Sequence, residues 1–144
     1  MYTFHMYEPF LFSHQRASWI PNHVSYKKPV TYPYLYDDHA EYYGGGTPAH
    51  MGKGVMVDKA YLRHVFAPAA EFIRKNNRPL YLGEYGAIAN ADDDSAVRWY
   101  NDVADLCLEY GIGRAVWSYR GFSRITDAEN KVHDIRMVKA ITRK

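Results

Sequence analysis

Two helical stretches bracket the short run Pro79-Leu80-Tyr81-Leu82-Gly83-Glu84-Tyr85-Gly86, and that bracketing limits the folds open to this chain. Asp58 reads as the N-cap of a helix through about Asn76, with Leu62, Val65, Phe66, Ala69, Phe72 and Ile73 at helical spacing. Pro68 predicts a kink or a break near its middle. Asp92-Asp93-Asp94-Ser95 opens the next helix, with acidic groups favourably placed near its N-terminal dipole. Its apolar face is Val97, Tyr100, Val103, Ala104, Leu106, Cys107 and Leu108, and Gly111 stops it. The apolar run between them is the pattern of a parallel strand buried on both faces.

The same alternation extends outward. Tyr2 to Tyr7 reads as a strand ending near Tyr7, before Glu8-Pro9, and Gly113 to Tyr119 as another. Asp127 to Lys131 predicts a turn and Asp134 to Thr142 a final helix. Strands alternating with helices imply an α/β fold with a parallel sheet. At 144 residues one domain is expected. Yet three strands are few for such a sheet, and the chain opens directly in one, so the expectation is part of something larger. From Glu8 to about Val57 no period persists: Pro21, Pro29, Pro33, Pro48 and Gly44-Gly45-Gly46 interrupt it. A loop of that length is functional or a sign of misassigned elements, and short helical turns are expected within Phe10 to Trp19.

Composition narrows the function classes. Net charge is +2, from 18 basic and 16 acidic residues, and no basic run exceeds Lys27-Lys28, so a nucleic-acid footprint is not expected. The single Cys107 excludes an internal disulfide, and no run of apolar residues is long enough for a membrane span. The opening Met1-Tyr2-Thr3-Phe4-His5 lacks the charged and apolar regions of a signal peptide. His39 and His50 lie in the tyrosine-rich loop, but no close His/Cys/carboxylate cluster supports a metal site, and no cofactor is expected. Of 14 tyrosines, Tyr26, Tyr32, Tyr34, Tyr36, Tyr42 and Tyr43 crowd into the long loop. They admit two readings, a surface that stacks on sugar rings or rings that pack the loop onto its own domain, and packing is preferred.

Glu84 is the residue that packing explains least. An ionised carboxylate among apolar neighbours is costly unless paired or hydrogen-bonded. At the tip of a strand, between Gly83 and Gly86, it is better explained by chemistry.

Three segments in order then carry a resemblance: Phe4-His5-Met6-Tyr7-Glu8-Pro9 with Phe12-Ser13-His14-Gln15; Leu82-Gly83-Glu84-Tyr85-Gly86; and Ala115-Val116-Trp117-Ser118-Tyr119 with Gly121-Phe122-Ser123. The chain resembles the C-terminal part of a glycoside hydrolase family 5 enzyme, a cellulase-like retaining β-glycosidase. Arg16 departs from the small residue expected after His14-Gln15. The resemblance implies about strands 6 to 8, with their helices, of a (β/α)8 TIM barrel, so that residues 1–144 form a partial barrel domain with a long loop at about 8–57. It implies that Glu84 is the nucleophile, that Tyr7 orients it, and that His5 meets a substrate hydroxyl or the acid/base group. Trp117 is implied as the platform under the sugar being cleaved, with His14, Gln15 and Trp19 lining the cleft. The implied partner is a β-linked oligo- or polysaccharide, β-1,4-glucan by default. Secretion or a periplasmic location is implied for the full-length family member.

A retaining glycosidase uses two carboxyl groups about 5–5.5 Å apart. The resemblance places the acid/base in an Asn-Glu pair at the end of the fourth strand, and no Asn-Glu pair occurs here. Glu8 and Glu41 are the remaining carboxylates near the first strand, without local marks of an acid. Three readings therefore stand: a separated piece of an enzyme with its first five strands before Met1, a sugar-binding remnant without hydrolysis, or a fragment that folds by self-association or by pairing with a missing N-terminal half.

Overall fold

A computed structural model describes residues 2–44 and 46–144, so Met1 and the middle glycine of Gly44-Gly45-Gly46 lie outside the described residues. The elements in chain order are β1 (Tyr2–His5), α1 (Phe10–Ser13), α2 (Pro21–Ser25), β2 (Tyr34–Leu35), a 3-10 turn (Tyr36–His39), α3 (Ala40–Tyr43) and β3 (Met56–Val57). The long pair α4 (Lys59–Asn76) and α5 (Asp93–Glu109) follows, flanking β4 (Leu80–Tyr85), and β5 (Gly113–Val116) and α6 (Ile135–Ile141) complete the chain.

The main sheet is parallel, ordered β1-β4-β5. The apolar run expected to be central is central, hydrogen-bonded on both sides. Only one of its faces is buried, however. Leu80, Leu82 and Tyr85 are inside, while Tyr81, Gly83 and Glu84 are half-exposed, alongside exposed Thr3 and His5 of β1. The second face, expected to be covered, has no layer over it among the described residues.

Capping chemistry fixes the long helices. Asp58 accepts from the N–H groups of Ala60 and Tyr61, and the left-handed Asn77 closes α4 by donating to the Ile73 carbonyl. Pro68 does not break α4, which runs uninterrupted through it. The proline sits on the exposed side, where the carbonyl it leaves without a partner meets water. Asp92 caps α5 through the Ser95 N–H at 2.9 Å. Leu108, expected on the apolar face of α5, is exposed, whereas Trp99 is wholly buried. Trp99 packs on Tyr85 and Tyr100 at ring separations of 6.0 and 5.2 Å and donates to the Glu8 carbonyl at 3.0 Å. Each large apolar side chain so buried contributes about 1.5–3 kcal/mol.

The segment between β1 and α4 is ordered by its own rings. Tyr32, Tyr34 and Tyr36 are buried, and Tyr26, Tyr42 and Tyr43 half-buried. Tyr32 is tied to α5 three ways: its phenol donates to Asp102 at 2.8 Å, its N–H to Ser95 Oγ at 2.9 Å, and its carbonyl accepts from Arg98 at 2.7 Å. The Tyr34 and Tyr43 hydroxyls lie 2.6 Å apart, and Tyr36 stacks on Tyr43. Packing thus accounts for most of these tyrosines. The segment carries short helices and the antiparallel β2–β3 pair, elements too brief to leave a period in the sequence.

Candidate active site

Glu84 belongs to a bulge. Phe4 pairs with Leu82, but the next residue of β1, His5, pairs with Glu84, so Gly83 is the extra residue. A Cβ on Gly83 would stand 2.7 Å from Thr3 Oγ1, so any larger residue there requires the Thr3 side chain to shift. The bulge turns Glu84 onto the open face beside His5 and Tyr7. Tyr7 donates its phenol proton to Glu84 Oε2 at 3.1 Å, and His5 Nδ1 lies 3.3 Å from the same oxygen. Burial and the adjacent carboxylate push the Tyr7 phenol well above its ordinary range, which keeps it a donor.

Trp117 follows β5, half-exposed, with its N–H on the Tyr85 carbonyl at 2.8 Å. The strand stops at Val116, short of Tyr119, because the Ser123 hydroxyl donates to the Ser118 carbonyl at 2.7 Å and accepts from the Ser118 N–H at 2.9 Å, turning the chain. Gly86 lets β4 and this turn approach: a Cβ there would lie 2.1 Å from the Trp117 carbonyl oxygen.

A second layer backs Tyr7. Its ring meets His14 edge-on at 4.9 Å and Phe122 at 6.1 Å, and Trp19, 60% exposed, contacts both His14 and Phe122. Ser13 Oγ donates to the Tyr7 carbonyl, so its lone pair accepts from His14 Nδ1–H at 2.9 Å. That leaves Nε2 of His14 as an acceptor. Burial, with a smaller contribution from His23, depresses His14 to about 4, so the ring is neutral near pH 7.

Gln15 does not belong with these residues. Its carboxamide is buried and bonded to Val30, donating to the carbonyl at 2.9 Å and accepting from the N–H at 3.4 Å. It holds the insertion in place, a correction to its expected place in the cleft. Phe122 was the residue missed. Its only sequence signal was its position in Gly121-Phe122-Ser123 after the last strand. The two spare carboxylates are engaged elsewhere: Glu8 accepts from the Phe10 N–H and Tyr61 hydroxyl, and Glu41 from Tyr26. Among the described residues no group of His, Cys, Asp and Glu is arranged to hold a metal ion.

A parallel sheet with helices between its strands, and polar groups gathered at the strands' C-terminal ends, is the arrangement shared by α/β barrels and doubly wound α/β folds. The family described as Cellulase (glycosyl hydrolase family 5) matches residues 1–123, and the chain belongs to that family. It is 37% identical over 123 residues to Endoglucanase C of Acetivibrio thermocellus, covering 83% of this chain and 36% of that protein. Cellodextrinase A of Ruminococcus flavefaciens is 25% identical over 114 residues, covering 79% and 28%. Among solved structures, Thermotoga maritima Cel5A in complex with mannotriose matches with a TM-score of 0.68 at 26% identity, over 96% of this chain and 38% of that one. The chain is therefore a partial (β/α)8 barrel, spanning about a third of the length of these relatives.

Proposed function

We propose that this chain supplies the nucleophile half of a retaining β-glycosidase acting on β-1,4-glucan or a related β-glycan. The observation that carries the reading is Glu84, turned by a bulge onto the open face with Tyr7 donating to it and His5 beside it. In this reading Glu84 attacks the anomeric carbon while the Tyr7 hydrogen bond keeps it aimed. His5 meets a substrate hydroxyl or the acid/base, Trp117 lies under the sugar, and Trp19 and the His14 Nε2 acceptor line the cleft. The acid/base is supplied by a carboxylate outside residues 1–144, since Glu8 and Glu41 are held by other partners.

The isolated chain is then expected to show no turnover of an aryl β-glucoside or β-glucan. Hydrolysis is expected when residues 1–144 are joined to a barrel half with a strand ending in Asn-Glu, and Glu84→Gln should abolish it. Tyr7→Phe, which removes one hydrogen bond to a charged group, should reduce the rate by about 10- to 100-fold. Turnover by the isolated chain that Glu84→Gln abolishes would overturn the absence of the acid.

The open sheet favours a second reading, a barrel fragment that depends on association. Among the described residues β1 and β5 are each paired on one side only. Beside them lie apolar grooves of about 340 Å³, one lined by Tyr2, Phe4, Val65 and Phe72, the other by Val116, Ile125, Val138 and Ile141.

A further inference from the structure

We propose that Ser123 is a positioning residue for Trp117: its hydroxyl grips the residue that follows the tryptophan and so fixes the plane of the indole. The role deepens the glycosidase reading above, in which Trp117 lies under the sugar, and rests on it.

Trp117 is held differently from the other two tryptophans. Trp99 is wholly buried against Tyr85 and Tyr100, and Trp19 meets His14 and Phe122. Trp117 is 50% exposed. Among the described residues its ring meets no other aromatic ring, and its indole N–H has no acceptor. With neither a ring contact nor a hydrogen bond to orient the indole, its direction is set largely by the main chain.

That main chain is fixed on both sides. The Trp117 N–H donates to the Tyr85 carbonyl at 2.8 Å, which ties it to β4. Beyond Trp117 the ladder has ended, and the N–H and carbonyl of Ser118 turn to a single side chain. Ser123 Oγ accepts from the N–H at 2.9 Å and donates to the carbonyl at 2.7 Å. A hydroxyl carries one proton and two lone pairs, so it can satisfy both groups of one residue. Buried Ser123 thus does for Ser118 what a neighbouring strand would do.

Ser123 can act as a fixed post because its neighbours are anchored independently. The Phe122 carbonyl accepts from the Ala89 N–H at 2.7 Å, and Arg124 pairs with Asp93 at 2.7 Å. Thr126 closes the loop, donating its hydroxyl and its N–H to the Tyr119 carbonyl at 3.0 and 3.2 Å. Removing the Ser123 hydroxyl therefore frees Ser118 without dismantling the loop, and Trp117 is the side chain beside the freed peptide.

The test reads motion and turnover separately. In a Trp19→Phe background of the full chain, time-resolved anisotropy is followed at the red edge of the emission, where exposed Trp117 outweighs buried Trp99. Ser123→Ala should raise the amplitude of nanosecond local motion about twofold, with far-UV circular dichroism unchanged. Ser123→Cys keeps the bulk but hydrogen-bonds weakly, and should resemble Ser123→Ala. With Trp19 intact, in the barrel completed by a half that supplies the acid, Ser123→Ala should lower kcat/KM for cellotetraose by about 10-fold. Unchanged anisotropy in Ser123→Ala, or a wild-type decay in Ser123→Cys, overturns the grip and leaves the Glu84 reading standing. So does a mobile Trp117 with hydrolysis unaltered. Hydrolysis that survives Glu84→Gln overturns the glycosidase reading, and the positioning role for that reaction with it.

Discussion

Histidine 14 shows how one buried side chain couples the site to pH. Its ring is 8% exposed and its folded-state value is depressed to about 4, with burial as the main cause. The unfolded chain, with an ordinary value near 6.5, binds that proton first as the solution is acidified. Stability from keeping the ring neutral is thus fully present above about pH 6.5 and is lost as the pH falls toward 4, by at most about 3 kcal/mol. Burial depresses His39 in the same direction. Urea unfolding between about pH 4 and pH 7 should therefore show wild type losing stability on acidification, and His14→Gln losing less. Parallel pH profiles would mean that burial does not hold His14 neutral. Glu84, Tyr7 and His5 meet for a different reason, the extra residue Gly83, which the sequence displays only as a glycine before a glutamate.

At the scale of elements, α4 carries a built-in weakness. A proline in a helix interior is about 3 kcal/mol less favourable than alanine, because it removes a hydrogen bond and crowds the preceding turn. Pro68 is exposed and the helix continues on both sides. Pro68→Ala is expected to raise the unfolding free energy by about 1–3 kcal/mol, read as a higher urea midpoint with an unchanged slope. A lower midpoint would assign the proline a packing role in the groove beside β1, which it helps to line. The helices were legible because their caps are local: Asp58, Asp92 and Asp134 each accept from N–H groups two or three residues onward. Pro68 does not break α4, and it lies on the side of the helix that faces water, which propensity alone does not reveal. The insertion was illegible for the opposite reason. Its order comes from contacts distant in sequence, such as Tyr32 with Asp102 and Gln15 with Val30.

For the whole molecule, the dominant fact is an open sheet. Exposed strand edges with apolar grooves favour pairing with further strands, from another segment of a barrel or from a second copy. Without a completing partner, the isolated chain is expected to show concentration-dependent association in sedimentation velocity. Tyr2→Lys, which places a charge on the exposed edge strand, is expected to reduce it. A strictly monomeric, cooperatively folded chain at high concentration would remove the association-dependent reading.

The sequence by itself determined the alternation of strands and helices, the parallel sheet, the family and the presence of Glu84 at a strand tip. These follow from periodicity, caps and short motifs, all of which are local. Only the tertiary structure decided that one face of β4 is open and that Gln15 serves the insertion rather than the cleft. It also brought Phe122 behind Tyr7 and showed most of the loop tyrosines to be packing residues. These depend on which distant segments meet, and no pattern within a single segment encodes that.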